Sequence, residues 1–383
     1  MKVSLADLRT QYYELKEQID AGIAEVIDSG LFCGGPRVAR LEQEIADLCG
    51  AKHGIGVASG TDALILALEA YGIGQGDEVI TTPFSFGATS EAIARVGARP
   101  VYVDIDPHTF NINVASIEAQ ITPRTKAILP VDLYGQMCDR NALQSLAKKY
   151  NLRLIVDSAQ SIGAAQNGTP IAPNNDATTL SFYPTKNLGA YGDGGMILTS
   201  NDEAAEILRS LRGHGTHGHK YHYVRVGYCS RLDAIQAVVL ENKLPLLNGW
   251  NELRRRYAHL YNALLTDVAQ ESDGALCLPC ETGDNYHIYH QYTVRHTHRD
   301  ALQAYLKQQE IATEIYYPAP LHLQPAYTHY GYQEGDFPIS EKVSNEVLSL
   351  PIHPELTEEQ IQYVAKHVVA FQKSHTPEPT YQR

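Results

Sequence analysis

The chain alternates short apolar runs with longer segments whose apolar residues recur every three or four positions. The runs at 54–58, 78–81, 99–104, 127–132, 153–157, 178–182 and 195–199 have the length of strands, and several are apolar throughout, as in LRLIVD and KAILPV. Strands apolar on both faces belong in a sheet covered by helices on each side. Helical periodicity fills most of the intervals, at 12–29, 38–48, 62–70, 85–96, 141–150 and 203–211. Gly30 and the run Cys33-Gly34-Gly35-Pro36 stop the first of these helices. This alternation predicts an α/β fold with a mainly parallel seven-stranded sheet flanked by helices, over residues 1–245. The pattern changes after Pro245. A long charged helix at 250–265, a strand at 287–295, a helix at 299–309, a Tyr-, Pro- and His-rich loop at 315–338 and a last helix at 358–371 predict a smaller α+β domain over 246–383. The tail SHTPEPTYQR is expected to be disordered.

Composition narrows the function. A chain of 383 residues easily supports a buried core and two units. Its net charge of −13 argues against a general nucleic-acid binder, whose affinity rests on Lys and Arg against phosphate. No run approaches the ~20 apolar residues that span a bilayer. The start, MKVSLADLRTQYYELKEQI, is polar and helical, unlike a secretory leader, so a cytoplasmic location is expected. The 6 cysteines are too scattered for a disulfide framework, and the lone CLPC at 277–280 has no second pair, so no metal site is expected.

Four segments carry candidate chemistry. In SFYPTKNLGAYGDGG a strand enters a glycine-rich loop bearing Lys186, whose amine can form a Schiff base with an aldehyde if held neutral. Alone, Lys186 reads more readily as a surface lysine in a turn. Asp157 ends the strand LRLIVD, where ligands of open α/β sheets sit, with Gln160 three residues on. A carboxylate there keeps a pyridine nitrogen protonated, although it also suits a helix cap. Gly60 and Thr61 open an apolar helix whose free N–H groups make a phosphate seat, or simply a capped end; Ser181 adds a hydroxyl. Phe86 follows a strand and is either a platform for a planar ring or a core residue. Taken in order, a phosphate seat, an aromatic, a strand-end Asp with Gln, then Ser and Lys form the parts list of a pyridoxal-phosphate site.

With these residues in place the sequence resembles the DegT/DnrJ/EryC1/StrS family of sugar aminotransferases, enzymes of the fold-type-I pyridoxal-phosphate class. The likeness runs through SGTDAL, GDEVITTPFSF, DLYGQ, DSAQSIGA, SFYPTKNLGAYGDGG, RVGYCSRLDAIQAVVLENKL, YHQYTVR and YYPAPLHLQPAY. It implies that Lys186 carries the cofactor, that Asp157 meets the pyridine nitrogen and that Gln160 lies beside the ring oxygen. Gly60, Thr61 and Ser181 would hold the phosphate and Phe86 would stack on the ring. The cofactor would cycle between pyridoxal 5′-phosphate and pyridoxamine 5′-phosphate. The resemblance further implies a homodimer with shared sites, in which an Asn of GYxSRLD reaches the partner's cofactor; here Cys229 stands in that place, a poor substitute for an amide. A lysine at 186, where dehydrating relatives carry His, favours transamination.

The substrate is expected to be a nucleotide-linked keto-sugar, with glutamate as amino donor. The stretch 212–231 contains no acid and carries Arg212, Lys220, Arg225 and Arg231, a positive island suited to a diphosphate. Its histidines 214, 217, 219 and 222 fall in an expected solvated loop. The GHG and KYHYVRVGYCSRLDA segments look most like those of enzymes that aminate C3 of UDP-2-acetamido-2-deoxy-3-keto-glucuronate; a dTDP-3-keto-6-deoxyhexose or a 4-keto-sugar is the alternative. Arg231, Tyr316, Tyr317 and His322 match substrate-contacting positions of the family. Two other classes compete: a cofactor-binding regulator without turnover, and a dinucleotide oxidoreductase, which GVASGTDA disfavours because it lacks the GxGxxG turn.

Overall fold

The computed structural model describes residues 1–375. The predicted disorder of the tail falls mostly on residues 376–383, outside the described residues; Ser374 and His375 continue the last helix.

Helices α1 (Leu8–Ser29) and α2 (Gly35–Cys49) precede the sheet. Its strands are β1 (His53–Val57), β2 (Glu78–Thr81), β3 (Arg99–Tyr102), β4 (Thr125–Ile128), β5 (Arg153–Asp157), β6 (Ala177–Ser181) and β7 (Gly195–Thr199). They lie in the order β1-β7-β6-β5-β4-β2-β3. From β3 to β6 every neighbour pair is parallel. β7 runs antiparallel to both of its neighbours, so the sheet is mainly but not wholly parallel.

Both faces are covered. On one, α3 (Gly60–Ala70), α4 (Ala88–Arg95) and α6 (Asp202–Arg212) bury Leu64, Leu66, Leu68, Ile93 and Leu208 against Ile55, Val79 and Ile197. On the other, α2 and α7 (Ala234–Lys243) pack Leu41, Ile45 and Leu240 on Leu180, Met196 and Leu198. Helix α5 (Arg140–Tyr150) covers Ile80, Ile128 and Leu154 beside them. Two-sided burial is why these strands read as continuous apolar runs.

Beyond α7 the chain builds a second core. Helix α8 (Leu247–Gln270), α9 (Arg299–Gln308) and α11 (Glu358–His375) pack on an antiparallel sheet of Leu276–Cys277, Tyr292–His296 and Val347–Leu350. Val3, at the other end of the chain, joins this core and bridges Ile311. Helix α10 (Pro338–Glu346), absent from the sequence pattern, leads into the last of these strands. The strand expected at 287–295 begins only at Tyr292; before it, Tyr289 has φ 44 and the chain bends across the end of the main sheet. The loop expected over 212–231 contains a hairpin, Thr216–His217 with His219–Tyr223. Among the described residues no group of three or more His, Cys, Asp or Glu is placed to hold a metal ion. No helix of the described chain is long and apolar enough to cross a membrane.

Candidate active site

The carboxyl ends of β5 and β6 open into a cavity of about 680 Å³. Its wall brings together Gly60, Thr61, Phe86, Asp157, Gln160, Ser181, Lys186, Tyr316 and Tyr317, nine residues singled out in the sequence.

The floor is electrostatic. Asp157 is buried, accepting from Ala159 N–H at 3.2 Å and from Thr89 Oγ1 at 2.9 Å. Thr89 is itself paired with Ser85 Oγ at 2.9 Å. Burial raises the Asp157 carboxyl above the usual range; the two hydrogen bonds and the nearby Lys186 charge pull the other way. A cationic ring N–H would supply the ion-pair partner that this buried acid does not have among the described residues. Across the cavity, burial lowers the Lys186 amine to about 8, against the opposing pull of Asp157. No hydrogen bond or ion pair to the Lys186 amine occurs among the described residues, so it is available for covalent work.

The candidate phosphate seat is built by close approach. Ser59 caps α3, its Oγ accepting from Asp62 N–H at 3.0 Å. Among the described residues nothing accepts from the N–H groups of Gly60 and Thr61, which point past the first helical bond. A Cβ on Gly60 would lie 2.7 Å from Ser181 Cβ, so glycine is what lets the helix end meet Ser181. Gln160 Oε1 accepts from Tyr134 N–H at 2.7 Å, which turns its amide nitrogen toward Tyr317 Oη at 3.1 Å. Phe86 stays 62% exposed at the mouth, an aromatic face with no core to fill, 6.2 Å from the Tyr317 ring.

A family model described as the DegT/DnrJ/EryC1/StrS aminotransferase family matches residues 13–369. The chain belongs to that family. Among its relatives is a protein of Geobacillus stearothermophilus named a pleiotropic regulatory protein, 52% identical over 97% of this chain and 99% of its own. A UDP-N-acetyl-3-dehydro-α-D-glucosamine 3-aminotransferase of Acidithiobacillus ferrooxidans is 45% identical, covering 95% and 96%. A UDP-2-acetamido-2-deoxy-3-oxo-D-glucuronate aminotransferase of Pseudomonas aeruginosa is 42% identical, covering 94% and 98%. Among solved structures, DesV of Streptomyces venezuelae superposes with a TM-score of 0.94 at 40% identity, covering 97% of this chain and 99% of its own. NtdA of Bacillus subtilis, solved with bound pyridoxamine phosphate, gives 0.89 at 33%, covering 96% and 85%.

This member of the DegT/DnrJ/EryC1/StrS family is therefore an aminotransferase of the pyridoxal-phosphate class, and its cavity fits that cofactor: an anion seat, a ring platform, a buried acid and a free amine face one space. Three expected residues lie elsewhere. His322 is fully buried, its Nε2 3.0 Å from Glu341 Oε1 and its ring against Phe337, so within its own chain it is packed structure rather than a substrate contact. Cys229 and Arg231 are exposed outside the cavity, with Arg231 Nη2 3.1 Å from Cys229 Sγ. The positive island also loses a member, because Arg212 is tied to Glu42 and to Gly56 O at 2.7 Å. Ser85, Thr89, Tyr134 and His290 were not singled out in the sequence; nothing local marks a polar residue whose partner comes from another segment.

Proposed function

We propose that this aminotransferase moves an amino group from L-glutamate to the 3-keto group of a UDP-2-acetamido-2-deoxy-hexuronate, in cavities completed by a second copy of the chain. The observation that carries the chemistry is Lys186 and Asp157 facing one cavity with the α3 anion seat. Relatives that act on UDP-linked 3-keto sugars support the substrate, as do the exposed cations Lys220, Arg225 and Arg231, which suit a diphosphate and a uronate. Other relatives, 41% and 43% identical, are named transaminases of dTDP-3-amino sugars, which supports a dTDP-3-keto-6-deoxyhexose as the second reading, with an NDP-4-keto-sugar behind it.

Bound pyridoxal phosphate supplies the aldehyde and the electron-withdrawing ring. The chain does the rest. The Gly60 and Thr61 N–H groups and Ser181 Oγ anchor the phosphate, which fixes the bond to be broken relative to the ring. Phe86 covers one ring face. Asp157 holds a proton on the ring nitrogen, and Gln160 Nε2 donates to the ring oxygen. Lys186 Nζ would carry a proton between the substrate's α-carbon and the cofactor's aldehyde carbon, which lie on either side of the transferred nitrogen. Tyr316 and Tyr317 wall the sugar side.

The test is spectroscopic. The purified protein should show the visible band of lysine-bound cofactor; L-glutamate should bleach it, and the right keto-sugar should restore it. Bound cofactor with no response to any amino donor would instead favour the non-catalytic regulator that the name of the 52% relative suggests.

The homodimer rests on a separate observation: Tyr221, Tyr223, Val224 and Val226 form an exposed apolar ridge, with Val226 at 92%, beside Cys229. The protein should elute as a dimer, and Cys229→Asn, restoring an amide donor, should slow cofactor loss on dialysis. A monomer, or unchanged retention, would count against the shared site.

A further inference from the structure

His290 lines the same cavity as Lys186 yet has no role in the scheme above. It ends a chain of side-chain hydrogen bonds whose direction is fixed at the far end. Ile162 O, a backbone carbonyl, can only accept, and it lies 3.2 Å from the Asn251 amide nitrogen. Asn251 Oδ1 therefore faces Asn187 and accepts from its Nδ2 at 2.7 Å. Asn187 Oδ1 is then an acceptor, and it meets His290 Nδ1 at 2.9 Å. Nδ1 must carry the proton. All three side chains are buried, so no solvent competes: Asn251 is 1% exposed, His290 5% and Asn187 6%. Gly163 makes room for the anchor, since a Cβ there would lie 2.6 Å from Asn251 Nδ2.

Burial, with the charges facing the ring, decides its protonation. Burial has the largest effect, and the nearby Lys186 and Arg254 side chains add to it, so the imidazole stays neutral far below its ordinary value. Arg254 also holds the local backbone, donating to His290 O and Tyr289 O at 3.2 Å and to Ile352 O at 2.9 Å. With Nδ1–H committed to Asn187, Nε2 carries a bare lone pair. It has no partner among the described residues and is not among the side-chain atoms sealed from solvent.

We propose that His290 is locked as the neutral Nδ1–H tautomer and that its Nε2 accepts a hydrogen bond from the Lys186 amine whenever that amine is detached from the cofactor. His290 takes no proton; it is a positioning residue that holds the freed amine in the cavity and leaves Lys186 as the group that moves protons. The inference rests on the aminotransferase reading of the site, but its first test does not need turnover.

Long-range proton–nitrogen spectra of the holoenzyme labelled with nitrogen-15 in histidine identify the tautomer, with His290 assigned by its loss in His290→Asn. A protonated Nδ1 and bare Nε2 from about pH 6 to about pH 9 is expected, where a free histidine would titrate. A protonated Nε2, or titration in that range, overturns the proposal. L-Glutamate should then move the Nε2 resonance upfield as the visible band bleaches. If the band bleaches and Nε2 stays put, this inference fails while the aminotransferase reading stands; if nothing bleaches, the reading itself fails. His290→Asn keeps a donor for Asn187 and removes the acceptor at the Nε2 position, since the asparagine amide oxygen falls short of it. It should unfold near the wild-type temperature and lose roughly tenfold or more in kcat with little change in KM, the size of a lost hydrogen bond to a charged group. Unchanged kcat overturns the proposal, and if the variant fails to fold the tautomer measurement still decides it.

Discussion

An amine drawn into a cavity beside a carboxylate feels two opposing pulls, and at Lys186 burial outweighs Asp157, bringing the amine to about 8. Only the neutral amine attacks an aldehyde, so its reactive fraction grows as pH rises through that value. Cofactor capture by the apoenzyme should climb through about pH 8 and then level off, whereas a lysine at its ordinary value would still be climbing at about pH 10. Asp157→Asn removes the opposing charge and should move the midpoint lower still. A wild-type midpoint above about pH 9 would defeat the account. Lys186, Asp157 and Gln160 were legible because each is placed by local chain chemistry: a glycine-rich loop, a strand end, a short turn. Thr89 and His290 were not, because their partners Asp157 and Asn187 lie 68 and 103 residues away. His322 misled for the same reason, since the Glu341 and Phe337 that bury it come from a later segment.

At the scale of elements, strands buried on both faces announced themselves, but their directions did not. β6 and β7 are joined by residues 182–194, long enough for a parallel or an antiparallel return, and the apolar run of β7 is the same in either. The antiparallel choice places the Lys186 loop across the cavity, with Lys243 behind it: this fully buried lysine donates to Gly189 O at 2.8 Å. The helix that carries Lys243, α7, escaped notice because AIQAVVLENK has apolar residues on nearly every side; it is sandwiched between α1 and α2 and so lacks a polar stripe. The 287–295 segment looked like one strand because its residues suit a strand, yet its first half is bent by the positive φ of Tyr289, by the local bond from Tyr289 N–H to His287 Nδ1 and by the tertiary contact of His290 with Asn187.

At the scale of the whole molecule that bent segment couples the catalytic cavity to overall stability. His287 is buried, stacked on Tyr289 with ring centroids 3.9 Å apart, and its Nδ1 accepts from Tyr289 N–H at 2.9 Å, so a proton there would break a bond as well as bury a charge. Burial, aided by Arg255, lowers it to about 3, and His290 is likewise pushed well down. Both residues titrate near their ordinary value once unfolded, so between about pH 6.5 and about pH 3 the unfolded chain binds more protons than the native one. Stability must therefore fall as the solution is acidified through that window, each histidine contributing at most about 1.4 kcal/mol per pH unit. His287→Gln leaves a neutral group in place of a titrating one. It should cost stability at pH 7 by lost packing, yet show a shallower decline toward pH 5 than the wild type. Urea unfolding at the two pH values measures both quantities, and parallel declines in wild type and variant would mean that acid acts on this fold through other groups.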